Sequence, residues 1–146
     1  MPVTSSLAHE ILTGNLERVH PAEGWPHRNT LTAISRVLDK LPAEVWLIQV
    51  AGRTIGDCGT HGPVDSTGGI EIGYGLAAPY WGCGYGTEAV TALTRSLFGR
   101  PGVAKVFART AADNVASWKL LEKAGFRRVD SSLTELKYEF PTSRAG

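Results

Sequence analysis

Glu71-Ile72-Gly73-Tyr74-Gly75-Leu76-Ala77-Ala78-Pro79-Tyr80-Trp81-Gly82-Cys83-Gly84-Tyr85-Gly86-Thr87-Glu88-Ala89-Val90 is the most informative run in this chain. Its first part interleaves apolar residues with glycine at period two, a strand pattern, and its end opens a helix with Ala89, Val90, Leu93 and Leu97 on one face. Together they form a strand, a glycine loop and a helix. Backbone amides at a helix start make an anion site, the helix dipole adds favourable potential, and glycine lets the main chain approach a phosphate. A glycine-rich turn without a ligand is the alternative. Two nucleotide fingerprints fail on single residues: a dinucleotide loop needs glycine where Thr87 stands, and a P-loop needs Gly-Lys-Ser/Thr. A pyrophosphate carrier other than NAD or ATP is left.

Downstream, residues 103–108 read as a strand, 114–124 as an amphipathic helix ended by Gly125, and 126–129 and 133–140 as two more strands. Upstream, the strand at 70–76 follows a polar loop, 61–69, and a hairpin of 45–50 and 54–60 turning at Ala51-Gly52. Two helices come first. Leu7, Ile11, Leu12 and Leu16 mark one, Pro21, Gly24 and Pro26 interrupt, and Asn29 or Thr30 caps the other. The second helix should bury Leu31, Ile34, Val37, Leu38 and Leu41 before Pro42 ends it. This order predicts one mixed α/β domain over 1–146, helical through 1–44 and carrying its sheet within 45–140.

With 146 residues, 42% hydrophobic and 20% charged, the chain can bury a core. A net charge of +1 without a basic run argues against nucleic acid. No apolar stretch is long enough for a bilayer and no leader pattern opens the chain, so a cytoplasmic protein with free Cys58 and Cys83 is expected, with no membrane partner. Cys58-x-x-His61 lacks a second ligand pair, so no metal is expected.

Glu71 to Leu76, the Pro79-Tyr80-Trp81 spacer, Gly82 to Ala89 and Asn114-Val115-Ala116-Ser117-Trp118-Lys119-Leu120-Leu121-Glu122-Lys123-Ala124-Gly125-Phe126 resemble three consecutive landmarks of GNAT acetyltransferases, the branch of ribosomal-protein N-terminal acetyltransferases in particular. The resemblance implies a central, mostly antiparallel sheet, flanked by helices and splayed at a cofactor cleft. It implies acetyl-CoA as donor, with pantetheine along the backbone of Tyr74 and Leu76 and the pyrophosphate on the loop of Trp81, Gly82, Cys83, Gly84, Tyr85, Gly86 and Thr87. It also implies that Asn114 bonds the pantetheine arm and Ser117 lies near the sulfur. Lys119 and Lys123 either meet the 3′-phosphate or form a solvated helix face. The family usually carries Gln or Arg at the place of Trp81 and a basic residue at that of Cys83, so backbone amides must do more of the binding here.

The implied reaction is direct attack of a neutral amine on a thioester in a ternary complex, needing a base, an oxyanion donor and a proton for the thiolate. The resemblance puts the oxyanion donor at a backbone amide near Leu76. Glu71 is the first candidate base, its alternative being an exposed strand carboxylate, and His61 and Asp65 are the runners-up. Many members carry a tyrosine acid where this chain has Leu121, so Ser117 is the expected substitute, the alternative being a hydroxyl bonded to the helix backbone. A thiol of pKa about 8.5 leaves tolerably without much help. Trp25, His27 and His61 are candidate acceptor contacts, with Trp25 read more readily as a turn residue packed on the core. The acceptor is an amine on a small molecule or peptide, and a weak base set leans toward an α-amine of pKa about 7.7–8.0 rather than a lysine near 10.4. A non-catalytic acyl-CoA-binding module is the competing reading, and a homodimer is left open.

Overall fold

The computed structural model describes residues 1–39 and 43–141. Two helices, α1 (Ser5–Leu12) and α2 (Arg28–Leu38), precede three strands, β1 (Glu44–Val50), β2 (Arg53–His61) and β3 (Gly69–Leu76). A short 3-10 turn, Ala78–Tyr80, leads to α3 (Tyr85–Phe98), β4 (Lys105–Ala111), α4 (Val115–Lys123), β5 (Arg127–Ser131) and β6 (Glu135–Phe140). The six strands form one open sheet in the order β1-β2-β3-β4-β6-β5. It is the mixed α/β architecture that the pattern predicts.

Local chemistry accounts for most boundaries. The β1–β2 hairpin turns through Ala51 at φ 51° and Gly52 at φ 80°, both left-handed, which matches the twist of the flanking strands. The start of α2 is corrected: His27, rather than Asn29 or Thr30, is the N-cap, its Nδ1 accepting the Thr30 N–H at 3.3 Å. Asn114 caps α4 by accepting the Ser117 N–H at 3.2 Å, and Gly125 at φ 95° follows the helix end, where the left-handed conformation suits glycine.

The sheet buries both faces. Ile70, Ile72, Val106 and Tyr138 pack with α3 and α4 through Val90, Leu97 and Leu121, while Val45 and Leu47 pack with α1, α2 and Trp25. Each such side chain contributes roughly 1.5–3 kcal/mol when withdrawn from water. In the predicted stripe of α2, Ile34 is fully buried but Leu31 is exposed, because the helix contacts the sheet along a narrower face; Leu16 lies beyond α1; and Leu41 and Pro42 fall outside the described residues. An extended segment not expected before α1 runs along β1, with the Val3 N–H donating to Val45 O at 2.8 Å and the Leu47 N–H to Met1 O at 2.7 Å. The strand expected at 103–108 begins and ends later, since its ladder with β6 extends to Ala111.

Candidate active site

The sheet opens at its one parallel seam. β3 pairs with β4 only at Gly69–Lys105, Ile70–Val106 and Glu71–Phe107, after which β4 continues along β6. The backbone of β3 from Ile72 to Leu76 is left without a ladder partner on that side. The gap widens into a cavity of about 1040 Å³ between β3, α3 and α4.

Tyr74, Leu76, Trp81, Gly82, Gly84, Gly86, Thr87, Asn114 and Ser117 line this cavity, as do Lys119 and Lys123, whereas Cys83 and Tyr85 lie outside its wall. Gly84, at φ 86°, is the N-cap of α3 and offers no side-chain cap. The first helical bond runs from the Glu88 N–H to Gly84 O, so the amides of Tyr85, Gly86 and Thr87 form the free first turn. Gly86 is required by packing, since a Cβ there would meet Leu120 Cδ1 at 2.5 Å and Leu76 Cδ1 at 3.0 Å. Tyr85 instead sits beside Tyr80, ring centroids 6.3 Å apart, and the exposed Cys83 points its thiol at the Trp81 carbonyl. The Trp81 indole N–H donates to Leu76 O at 2.9 Å. A helix start with free amides facing an unpaired strand edge fits a pyrophosphate joined to an amide-bearing arm, as in coenzyme A.

A second cavity of about 370 Å³ lies on the α2 side of the sheet and shares His27, Asn29, Tyr74, Asn114 and Ser117 with the first. Glycines of β3 clear room on this side, Gly73 lining the smaller cavity and Gly75 the larger. A Cβ on Gly73 would stand 2.3 Å from His61 Nε2, and one on Gly75 would stand 2.7 Å from His27 Nε2. The two imidazoles occupy the space that side chains on β3 would take. Beside them the buried Asp57 accepts from the Trp25 indole at 3.0 Å and from the Thr30 hydroxyl at 2.6 Å, both on Oδ2.

His61 Nδ1 faces Glu71 Oε2 at 4.0 Å, and Arg109 holds the other Glu71 oxygen at 3.2 Å. Loss of water around the ring lowers the His61 pKa below its ordinary 6.5; Glu71 opposes the shift and Arg36 adds to it. The ring is therefore neutral at pH 7. Glu71 lines neither cavity. The expectation that it faces the cleft is corrected: it lies where β3 and β4 are still paired, held by the Arg109 guanidinium.

On the opposite side of β3, the Tyr74 hydroxyl reaches α4. It lies 2.7 Å from Ser117 Oγ and donates to Ser117 O at 3.0 Å, while burial pushes the phenol up to about 12 against a smaller opposing effect of the Ser117 bond. Sequence reasoning assigned Tyr74 only a backbone role. The period-two pattern shows that Ile72, Tyr74 and Leu76 share a face, but only the packing of α4 shows what that phenol meets.

Two further expectations, Trp25 as an acceptor contact and Asp65 as a base, are corrected, while His27 lies at the smaller cavity. Trp25 is 4% exposed and packs in the core, so it supports Asp57 rather than touching an acceptor. His27 lines both cavities, and its Nδ1 accepts the Thr30 N–H in capping α2. Asp65 lies in the loop between β2 and β3, where bonds from the Thr67 hydroxyl and the Gly69 and Thr67 amides hold its carboxyl at about 2, so it orders a turn and makes a poor base. Leu121 is fully buried. Among the described residues no group of three His, Cys, Asp or Glu is placed to hold a metal ion, and no helix is long and apolar enough to cross a membrane.

An open mixed sheet with a cleft at its parallel seam, a glycine-started helix beside it and a second pocket meeting it gives an α/β domain with two adjoining ligand cavities. The chain belongs to the GNAT acetyltransferase domain family, whose model matches residues 5–127. It is 38% identical over 72 residues to an uncharacterized N-acetyltransferase, YjdG, of Bacillus subtilis, a match covering 49% of this chain and 43% of that protein. It is 30% identical over 82 residues to an uncharacterized N-acetyltransferase, p20, of Bacillus licheniformis, covering 56% and 46% respectively. The matches thus span less than half the length of these curated relatives. Among solved structures, the aminoglycoside acetyltransferase AAC(6')-Ib in complex with coenzyme A and kanamycin shares the fold at TM-score 0.71 and 24% identity, over 99% of this chain and 94% of that one.

Proposed function

We propose that the protein is an acetyl-CoA-dependent N-acetyltransferase that passes an acetyl group to a primary amine by direct attack in a ternary complex. The observation that carries this reading is that the two cavities share walls at Tyr74, Asn114 and Ser117, so a donor along β3 and an amine over Gly73 would meet beside one hydroxyl pair. In this reading residues 45–140 hold the donor, and the helical segment 1–44 closes the acceptor pocket through His27, Asn29 and Arg36 of α2 and its cap. Two free thiols accord with work in the cytoplasm.

Acetyl-CoA would supply the activated acyl group and a thiolate leaving group. The free amides of Tyr85, Gly86 and Thr87 would hold its pyrophosphate, with Lys119 and Lys123 nearby to balance phosphate charge. His61 is the base: its ring is neutral, Nδ1 is turned to Glu71 and Nε2 is over Gly73 in the acceptor pocket. It takes a proton from the attacking amine as the C–N bond forms. Ser117, held by the Tyr74 hydroxyl 2.7 Å away, offers a hydroxyl hydrogen bond to the sulfur as the C–S bond breaks, and the thiolate, of ordinary pKa about 8.5, leaves without a stronger acid and takes its proton from solvent. The competing view of a binding-only module rests on Leu121 in the place of a tyrosine acid. A thiolate that leaves without a stronger acid removes that reason. Thiol release from acetyl-CoA across a panel of amines and peptide N-termini tests the reading; tight acetyl-CoA binding with no release for any amine would overturn it in favour of the module.

A further inference from the structure

The smaller cavity carries charge in a pattern that selects among amines. Four ionised side chains line it: Glu44, Asp57, Arg36 and Arg109. Arg100 clamps both oxygens of Glu44, at 2.6 and 3.2 Å. Arg109 is spent on Glu71 and lies 3.9 Å from Glu135. Two charges are left over. Asp57 is bonded only to neutral donors, Trp25 and Thr30, and both bonds fall on Oδ2. Arg36, partly buried on α2, has no carboxylate within 4.0 Å among the described residues. It is close enough to His61 to depress the ring's pKa.

We propose that the acceptor is an amine that also carries a carboxylate, read by the Arg36 guanidinium, with Asp57 facing the ammonium group before it is deprotonated. One anion and one cation left unpaired complement a zwitterion and oppose a polycation, whose further ammonium groups would meet the unpaired Arg36. A guanidinium is suited to this role because its planar fork matches a carboxylate with two parallel bonds. Asp57 and Arg36 stand at different heights along α2: Asp57 is bonded at Thr30, and Arg36 follows Thr30 by six positions, a rise of roughly 9 Å. The guanidinium stem covers part of that span, so the favoured acceptor holds its two charges several atoms apart, as in a dipeptide or an ω-amino acid. This inference rests on the acetyl-transfer reading for its chemistry, but not for its binding.

The test uses matched pairs, each a dipeptide or ω-amino acid and its carboxamide, with kanamycin and spermidine as polycationic probes. Turnover is followed by thiol release and binding by calorimetry on the protein saturated with CoA. The carboxylate member should exceed its amide by about tenfold or more in kcat/KM and in affinity, the scale of a charge-assisted bond. Arg36→Gln should erase that ratio through KM and leave acetyl-CoA affinity unchanged; Arg36→Lys should restore part of it. Amides or polycations accepted as well as the carboxylates, or a ratio untouched by Arg36→Gln, would overturn the inference while acetyl transfer stands. Arg36-dependent binding of carboxylates with no turnover would do the reverse, sustaining this inference and removing the transfer reading. No turnover together with no carboxylate preference in binding overturns both.

Discussion

Replacing Gly73 with alanine tests the room left for His61 without touching any group assigned to the reaction. The added Cβ would lie 2.3 Å from His61 Nε2 and 2.5 Å from Cε1. Ordinary contact for such atoms is about 3.5 Å, so the imidazole must retreat by roughly 1 Å. The ring is the end of a side chain at the mouth of β2, and it can swing away at little cost to the fold. Stability should fall by no more than about 1–3 kcal/mol, the usual cost of overpacking, and by less if the ring leaves freely. Catalysis is less forgiving, because a general base works within hydrogen-bond reach and a displacement of about 1 Å costs on the order of 100-fold. The expected result is a fall of that size in kcat/KM measured by thiol release, acetyl-CoA affinity within about twofold of wild type by calorimetry, and a loss no larger than that of His61→Gln. Full activity in Gly73→Ala would refute His61 as the base. A parallel loss of acetyl-CoA binding would refute the separation of the two cavities.

Three other outcomes follow from the same geometry. Activity should decline with acid only below the ordinary histidine value of 6.5, since burial lowers the His61 pKa; the unfolded chain then takes the proton first, so this site's contribution to stability also declines from about pH 6.5 downward and levels off below the folded value, and His61→Gln should flatten both profiles in rate and melting measurements. Tyr74→Phe removes the contacts with Ser117 at 2.7 and 3.0 Å, costing about 1 kcal/mol of stability, and should lower kcat several-fold to tenfold while KM for acetyl-CoA stays near wild type; an unchanged kcat would assign Tyr74 to packing alone. A Cβ at Gly84 would meet no atom within 4 Å, yet the φ of 86° strains a β-branched residue by about 1–2 kcal/mol, so Gly84→Val should unfold slightly earlier and lose acetyl-CoA affinity, whereas Cys83→Ala, outside the cavity wall, should bind as wild type.

The donor side of the site was readable because it is local. Free amides at a helix start, a strand with an unpaired edge and an Asn-capped helix are each properties of a few consecutive residues, and Gly82 to Thr87 and Asn114 to Ser117 announce them in order. The acceptor side was read less well because its members are distant in sequence. Glu71 looked free beside the glycine-rich strand, but its carboxylate is held by Arg109, 38 residues away. His27 caps α2 as well as lining both cavities, and Trp25, readable from its neighbours as an acceptor contact or a core residue, is buried and bonded to Asp57, 32 residues on.

Neighbours along the chain were enough to set the order of elements, the family landmarks and the helix start suited to a phosphate, since periodicity, capping and backbone freedom are local properties. Tertiary packing was needed to set where the seam opens, that Gly73 and Gly75 make room for two imidazoles, that Tyr74 meets Ser117 across 43 residues, and which charges are left unpaired. Those facts depend on register between strands and on the seating of α2 and α4 against the sheet. A shift of one residue in the pairing of β3 would turn Tyr74 toward α2 and the glycines toward the core with no change in composition.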